Sequence, residues 1–154
     1  MATYERIKKF GTAVVLWLRS DATLVTLSSH TSGDLRIVME DLTEDRKVPS
    51  VTVALVGTGN AVPDCDTLYE TDVLITAYAD TRIGCLDLLG RVHAFAQPTA
   101  VGNRTVVDPV ISTASVVITR CRTGPLRTDF ASSMLEPNLY VANMSLSMWW
   151  RDAA

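Results

Sequence analysis

From Tyr140 to Trp150 the chain alternates without a lapse. Tyr140, Ala142, Met144, Leu146, Met148 and Trp150 share one parity, and Val141, Asn143, Ser145, Ser147 and Trp149 share the other. A period of two marks a β-strand with one face buried, because successive side chains of a strand point to opposite faces. The segment commits the chain to a sheet with a covered side, and other elements must supply the cover. Trp149-Trp150 sharpens the constraint: adjacent rings in a strand point opposite ways, so one leaves the core unless both faces are covered.

Cover comes from two helical patterns. Over Thr3–Arg19, apolar Ile7, Phe10, Val14, Trp17 and Leu18 recur at spacings of three and four and share a face. Asp21 then caps a short second helix through Ala22, Leu24, Val25 and Leu27, ended by the polar stretch Ser28–Gly33. Asp80-Thr81 opens a third helix running to about Ala96, with Ile83, Leu86, Leu88, Leu89, Val92, Phe95 and Ala96 predicted as a wide apolar stripe. The remaining strands are predicted at Leu35–Met39, Val51–Val56, Tyr69–Tyr78 and Val116–Cys121. Asp41–Lys47 and Gly57-Thr58-Gly59-Asn60 are expected as connections, and the stretch after Gln97-Pro98 as loosely structured. The order predicts an α+β fold of two layers: a mostly antiparallel sheet of about five strands with helices packed on one face. No repeat or linker interrupts residues 1–154, so one domain is expected.

Charge narrows function more than composition does. The formal net charge is −3 and no Lys/Arg block exists, which argues against a dedicated nucleic-acid binder. The three cysteines, Cys65, Cys85 and Cys121, have no metal-ligand spacing and are expected as reduced thiols, Cys85 and Cys121 serving as small hydrophobes. The longest apolar run, Ala13–Leu18, is too short to span a bilayer, and the opening residues do not form a secretory signal, so no membrane is expected.

No constellation states a chemistry, so no catalytic residue, metal or cofactor is assigned and no enzymatic activity is expected. The Gly57–Asn60 stretch lacks the following Gly-Lys-Ser/Thr of a phosphate loop. His30 and His93 have no partner spacing, and Gly-x-Ser-x-Gly is absent. Asp64, Asp66, Glu70 and Asp72 do not fit a calcium-loop register. Glu70 and Asp72 share a strand face, read either as solvated surface or as the lining of a channel in which negative charge keeps DNA from sticking. Thr123–Pro137 joins two strands yet is long for a hairpin loop. Its Leu126, Arg127, Phe130, Met134 and Leu135 are candidates for a partner interface, with packing on the chain's own core as the alternative.

The layout resembles the tail-terminator, or tail-completion, proteins of long-tailed bacteriophages. The resemblance rests on an opening helix followed by SDATLVTL (residues 20–27), then LRIVME (35–40), VPSVTVAL (48–55), ETDVLITAYAD (70–80), TRIGCLDLLGRVHAF (81–95), ASVVITRCR (114–122) and LYVANMSLSMWW (139–150). The family's Asp-Ala-x-Leu turn corresponds to Asp21-Ala22-Thr23-Leu24. The resemblance implies a virion protein of the tail or neck, assembled in the host cytoplasm. It implies a homo-oligomer, a hexameric ring, that caps the tail-tube protein, meets a neck or head-connector protein and lets DNA through without sequence recognition. The long arm departs from the family's commonest pattern. A neck, head-closure or tail-tube subunit, or a small-ligand-binding α+β domain, would also suit this order of elements.

Overall fold

A computed structural model describes residues 3–39, 47–62, 65–96, 99–101, 105–107, 111–112, 116–132 and 139–153. The elements in chain order are helices α1 (Thr3–Arg19) and α2 (Ala22–Ser28) and strands β1 (Ile37–Met39), β2 (Ser50–Val62) and β3 (Cys65–Ala79). Helix α3 (Arg82–Ala96) follows, then β4 (Thr99–Val101), β5 (Thr105–Val107), β6 (Ile111–Ser112), β7 (Val116–Ser132) and β8 (Tyr140–Asp152). Six strands form one sheet in the order β1-β2-β3-β8-β7-β6, and β4 and β5 pair separately. All pairs are antiparallel except β1 with β2. The α+β, mostly antiparallel expectation holds. The main sheet exceeds the expected five strands because β6 adds a two-residue edge.

Strand parity places the core. Val73, Ile75 and Ala77 of β3, and Met144, Leu146, Met148 and Trp150 of β8, are wholly buried. Helix α1 lies over the β1–β2 side and α3 over β3, β8 and β7, covering one face. From α1 come Phe10, Ala13, Val14, Trp17 and Leu18, and from α3 Cys85, Leu88, Leu89, Val92 and Ala96. The α3 stripe is narrower than predicted, for Ile83 is 71% and Leu86 39% exposed. Ile83 and Leu86, three residues apart in the first two turns of α3, share a side that the core does not cover.

The tandem tryptophans divide as the pleat requires. Trp150 is fully buried, stacked on Phe10 of α1 at 4.8 Å between centroids and tilted against Tyr69 at 4.9 Å. Its indole N–H donates to Thr71 Oγ1 at 3.0 Å, so the one polar atom on this ring is satisfied. Trp149 lies on the opposite face, half-exposed.

Three expectations are corrected. Gly57–Asn60 is not an inter-strand loop but part of β2: pairing resumes at Asn60↔Glu70 after a bulge in which residues 57 to 59 face the single Thr71. The stretch after residue 98 contains β4, β5 and β6, each too short for a periodic signal. The arm from Thr123 is mainly strand, since β7 continues to Ser132. It crosses three bulges: Thr119 is one extra residue, Gly124-Pro125 face the single Ser145, and residues 128 to 130 face Ala142. Each bulge disturbs the alternation, so the segment reads as irregular although its backbone pairs with β8. Met134, Leu135, Pro137 and most of Asp41–Lys47 lie outside the described residues.

Replacing Trp150 with alanine is expected to cost about 3–5 kcal/mol of unfolding free energy, and Trp149→Ala less than about 1.5 kcal/mol. Urea denaturation of the two variants checks this, and equal losses would contradict the assignment of faces.

Candidate assembly surface

The face of the sheet away from the helices carries the charged candidates. Register sets two rows across it: Asn60, Glu70, Trp149 and Arg120, then Val56, Asp72, Ser147 and Arg122. Glu70 and Asp72 are both exposed, and Ser147 Oγ donates to Glu70 Oε1 at 3.3 Å. Two strands away, the Arg120 guanidinium sits 4.7 Å above the centre of the Trp149 ring. The face therefore carries acidic residues toward the β2 side and basic residues toward the β7 side, not acidic charge alone. Farther along β3, Thr76 and Tyr78 on this face are buried. The bulge at Thr119 brings Arg120 and Arg122 onto this face while Ile118 and Cys121 both remain in the core.

Beyond Arg122, the register sets Leu126 opposite Met144 and Arg127 opposite Asn143. Phe130 lies within β7, next to Ala131, which pairs with Val141. These candidates stand on the outer strand of a long hairpin; Met134 and Leu135 fall outside the described residues. Gly124 is required by close approach, because a Cβ there would meet Ser145 Oγ and lie 3.0 Å from Ser145 O. Among the described residues β6 pairs with β7 only at Val117 and Ile118, so most of the outer edge of β7 has no strand beside it. Pro125, the three bulges and the arginines are devices that discourage indiscriminate pairing at such an edge.

Opposite this surface, the Asp21-Ala22-Thr23-Leu24 turn has a physical explanation. The Asp21 carboxylate accepts from Leu24 N at 3.3 Å, capping α2, while Leu24 is fully buried. The same carboxylate takes a two-pronged contact from Arg91 of α3, with Nε at 2.6 Å and Nη2 at 2.9 Å. Arg91 holds the Asp21 carboxyl below its ordinary value, and Asp21 raises the Arg91 guanidinium in return. Capping was legible in the sequence. The pairing with Arg91 was not, because no periodicity links residues 70 positions apart.

The thiols behave as packing groups. Cys85 and Cys121 are free and buried, and burial pushes Cys121 up to about 12 and Cys85 above its usual value. Among the described residues no three His, Cys, Asp or Glu side chains come together as a metal site. No single helix there is long and apolar enough to cross a membrane.

No protein-family model matches the chain, and no curated protein matches its sequence. The fold matches a chain in the structure of the virion of a native gene transfer agent (GTA) particle, with a TM-score of 0.57. That match covers 93% of this chain and 94% of the other at 12% sequence identity, which is a likeness of fold.

Asp21→Asn keeps a capping oxygen but removes the ionic contact, and is expected to cost about 1–2 kcal/mol near neutral pH. The folded-state carboxyl is depressed from its ordinary 3.8. The wild-type advantage is therefore present above that value and lost as the pH falls through the folded value. Unfolding free energies of both proteins measured on acidification check this: the gap should close, and a constant gap would show that charge is not the cause.

Proposed function

We propose that this chain is a structural protein of a phage-type virion whose copies close into a ring on the end of the tail tube. The ring ends tube polymerisation and presents the surface that joins tail to head. The observation that carries this reading is the fold shared with a virion component over nearly the whole of both chains. The order of elements and the Asp21–Leu24 turn, which the layout of tail-terminator proteins also contains, support it from the sequence side.

A ring needs two different surfaces on each subunit, since head-to-tail contacts repeat around the rotation axis. The β7–β8 hairpin supplies one of them in this reading, through Leu126, Arg127 and Phe130 with Met134 and Leu135 beyond. Glu70 and Asp72 line the channel, and repelling phosphates there lets DNA pass without sequence recognition. The tail-tube protein and a neck or head-connector protein are the partners above and below. The role is structural, with no catalytic step and no cofactor.

Native mass spectrometry with electron microscopy of the purified protein tests the ring: discrete closed hexamers are expected. An open-ended ladder of masses would make the chain a tube subunit and overturn the cap, and a monomer at every concentration would overturn self-assembly into a ring. In the same assay, Arg127→Glu combined with Phe130→Asp is expected to weaken assembly at least about tenfold, since one charged pair reversed in an interface costs more than about 1.4 kcal/mol. The melting temperature should stay within about 4 °C of wild type if the hairpin serves contact. Parallel loss of stability and assembly would show that it serves the chain's own core.

A further inference from the structure

Among the described residues β1 is the edge of the sheet, and two side chains bond its outer backbone groups. The His30 ring folds back over the turn 31–34, itself closed by reciprocal bonds between Thr31 and Asp34, at 3.0 and 3.2 Å. Its Nδ1 accepts from the backbone N–H groups of Arg36 at 2.9 Å and Ile37 at 3.1 Å. Arg19 Nε of α1 donates to the carbonyl of the same Ile37 at 2.9 Å. Ile37 is fully buried, and the Arg36 carbonyl accepts from Val51 N at 2.8 Å as the parallel pairing begins. The His30 backbone is anchored by its own N–H to Val25 O at 3.0 Å, where Ser29, at a φ of 57°, ends α2.

An imidazole nitrogen that accepts two N–H bonds holds no proton, so the ring is the Nε2–H tautomer. The next proton can add only at Nδ1, and an Nδ1–H donor facing two N–H donors breaks both bonds. We propose that His30 is a proton-operated latch on the sheet edge: the neutral ring holds Arg36 and Ile37 at the start of β1, and protonation of Nδ1 releases them. The charged groups around it set the direction. Burial opposes protonation, and so does Arg19, which faces the ring from α1 with like charge. Asp34 attracts the proton, yet its carboxylate is already taken by Arg36 at 2.8 Å and Lys47 at 2.7 Å and titrates only near about 2. The His30 ring is accordingly held below its ordinary 6.5. Its contribution to stability is present above that value and lost as the pH falls through the folded value.

The test is an NMR titration of the full chain from about pH 8 to about pH 5, following both histidine rings and the protection of backbone amides against exchange. His30 should show the Nε2–H tautomer. Protection of Arg36 and Ile37 should fall about tenfold per pH unit below its midpoint, while the amides of β3 and β8 hold. The His30→Asn variant places an acceptor oxygen near the Nδ1 position and cannot titrate, so protection at Arg36 and Ile37 should become independent of pH. His30→Ala should lose that protection throughout. An Nδ1–H tautomer at neutral pH, or protection that stays level through the His30 titration, overturns the latch. So does an unchanged pH dependence in His30→Asn. None of these outcomes depends on ring formation.

Discussion

Strands β3 and β8 pair without a register shift from Tyr69↔Trp150 to Ala79↔Tyr140, and the rest of the structure is arranged around that uninterrupted ladder. Because the side-chain period is two, a slip of β8 by one residue would turn Met144, Leu146, Met148 and Trp150 out of the core together. The penalty is large, since each is wholly buried. Irregularity is displaced outward. The neighbours β7 and β2 carry the bulges that flank the ladder, and the remaining shift, residues 66 to 68 of β3, lies beyond the ladder's Tyr69 end. The outermost strands, β1 and β6, are two or three residues long.

The helical layer is tied to this centre by aromatic and ionic contacts of different reach. Trp150 joins α1 to the last strand through Phe10, and Trp17 of α1 stacks on Phe95 of α3 at 5.0 Å. At the far end of α1 the Asp21–Arg91 contact holds the turn into α2 against α3. These links bury apolar surface on one face only. The opposite face of the sheet is left to carry Trp149, Glu70, Asp72, Arg120 and Arg122.

On the proposed reading, the uninterrupted central ladder keeps geometry constant from copy to copy, while the unlike edges at β1 and β7 offer the two surfaces that a heterologous contact requires. The same edges carry protections against unspecific pairing: Pro125, arginines and bulges on β7, and side chains closing the β1 edge at Ile37. In the proposed ring both features have a physical reason, because an edge that pairs with any strand would polymerise without limit.

Alternation in Tyr140–Trp150 and in Tyr69–Ala77 determined by itself that a sheet with one apolar face exists, and the spacing from Phe10 to Leu18 determined that a helix covers it. Those signals are local, and side-chain direction follows from backbone geometry alone. The Asp21 cap was legible for the same reason, since it joins residues three apart. Tertiary structure decided what local periods do not encode: that β7 runs on through three bulges, that Arg120 crosses to the outer face beside Trp149, and that Asp21 meets Arg91. The His30 latch belongs with these, because a ring nitrogen finds backbone donors six and seven residues away only after the turn has closed and β1 has docked on β2. Such contacts depend on where whole elements come to rest, and the energy that places them is the burial of a shared core.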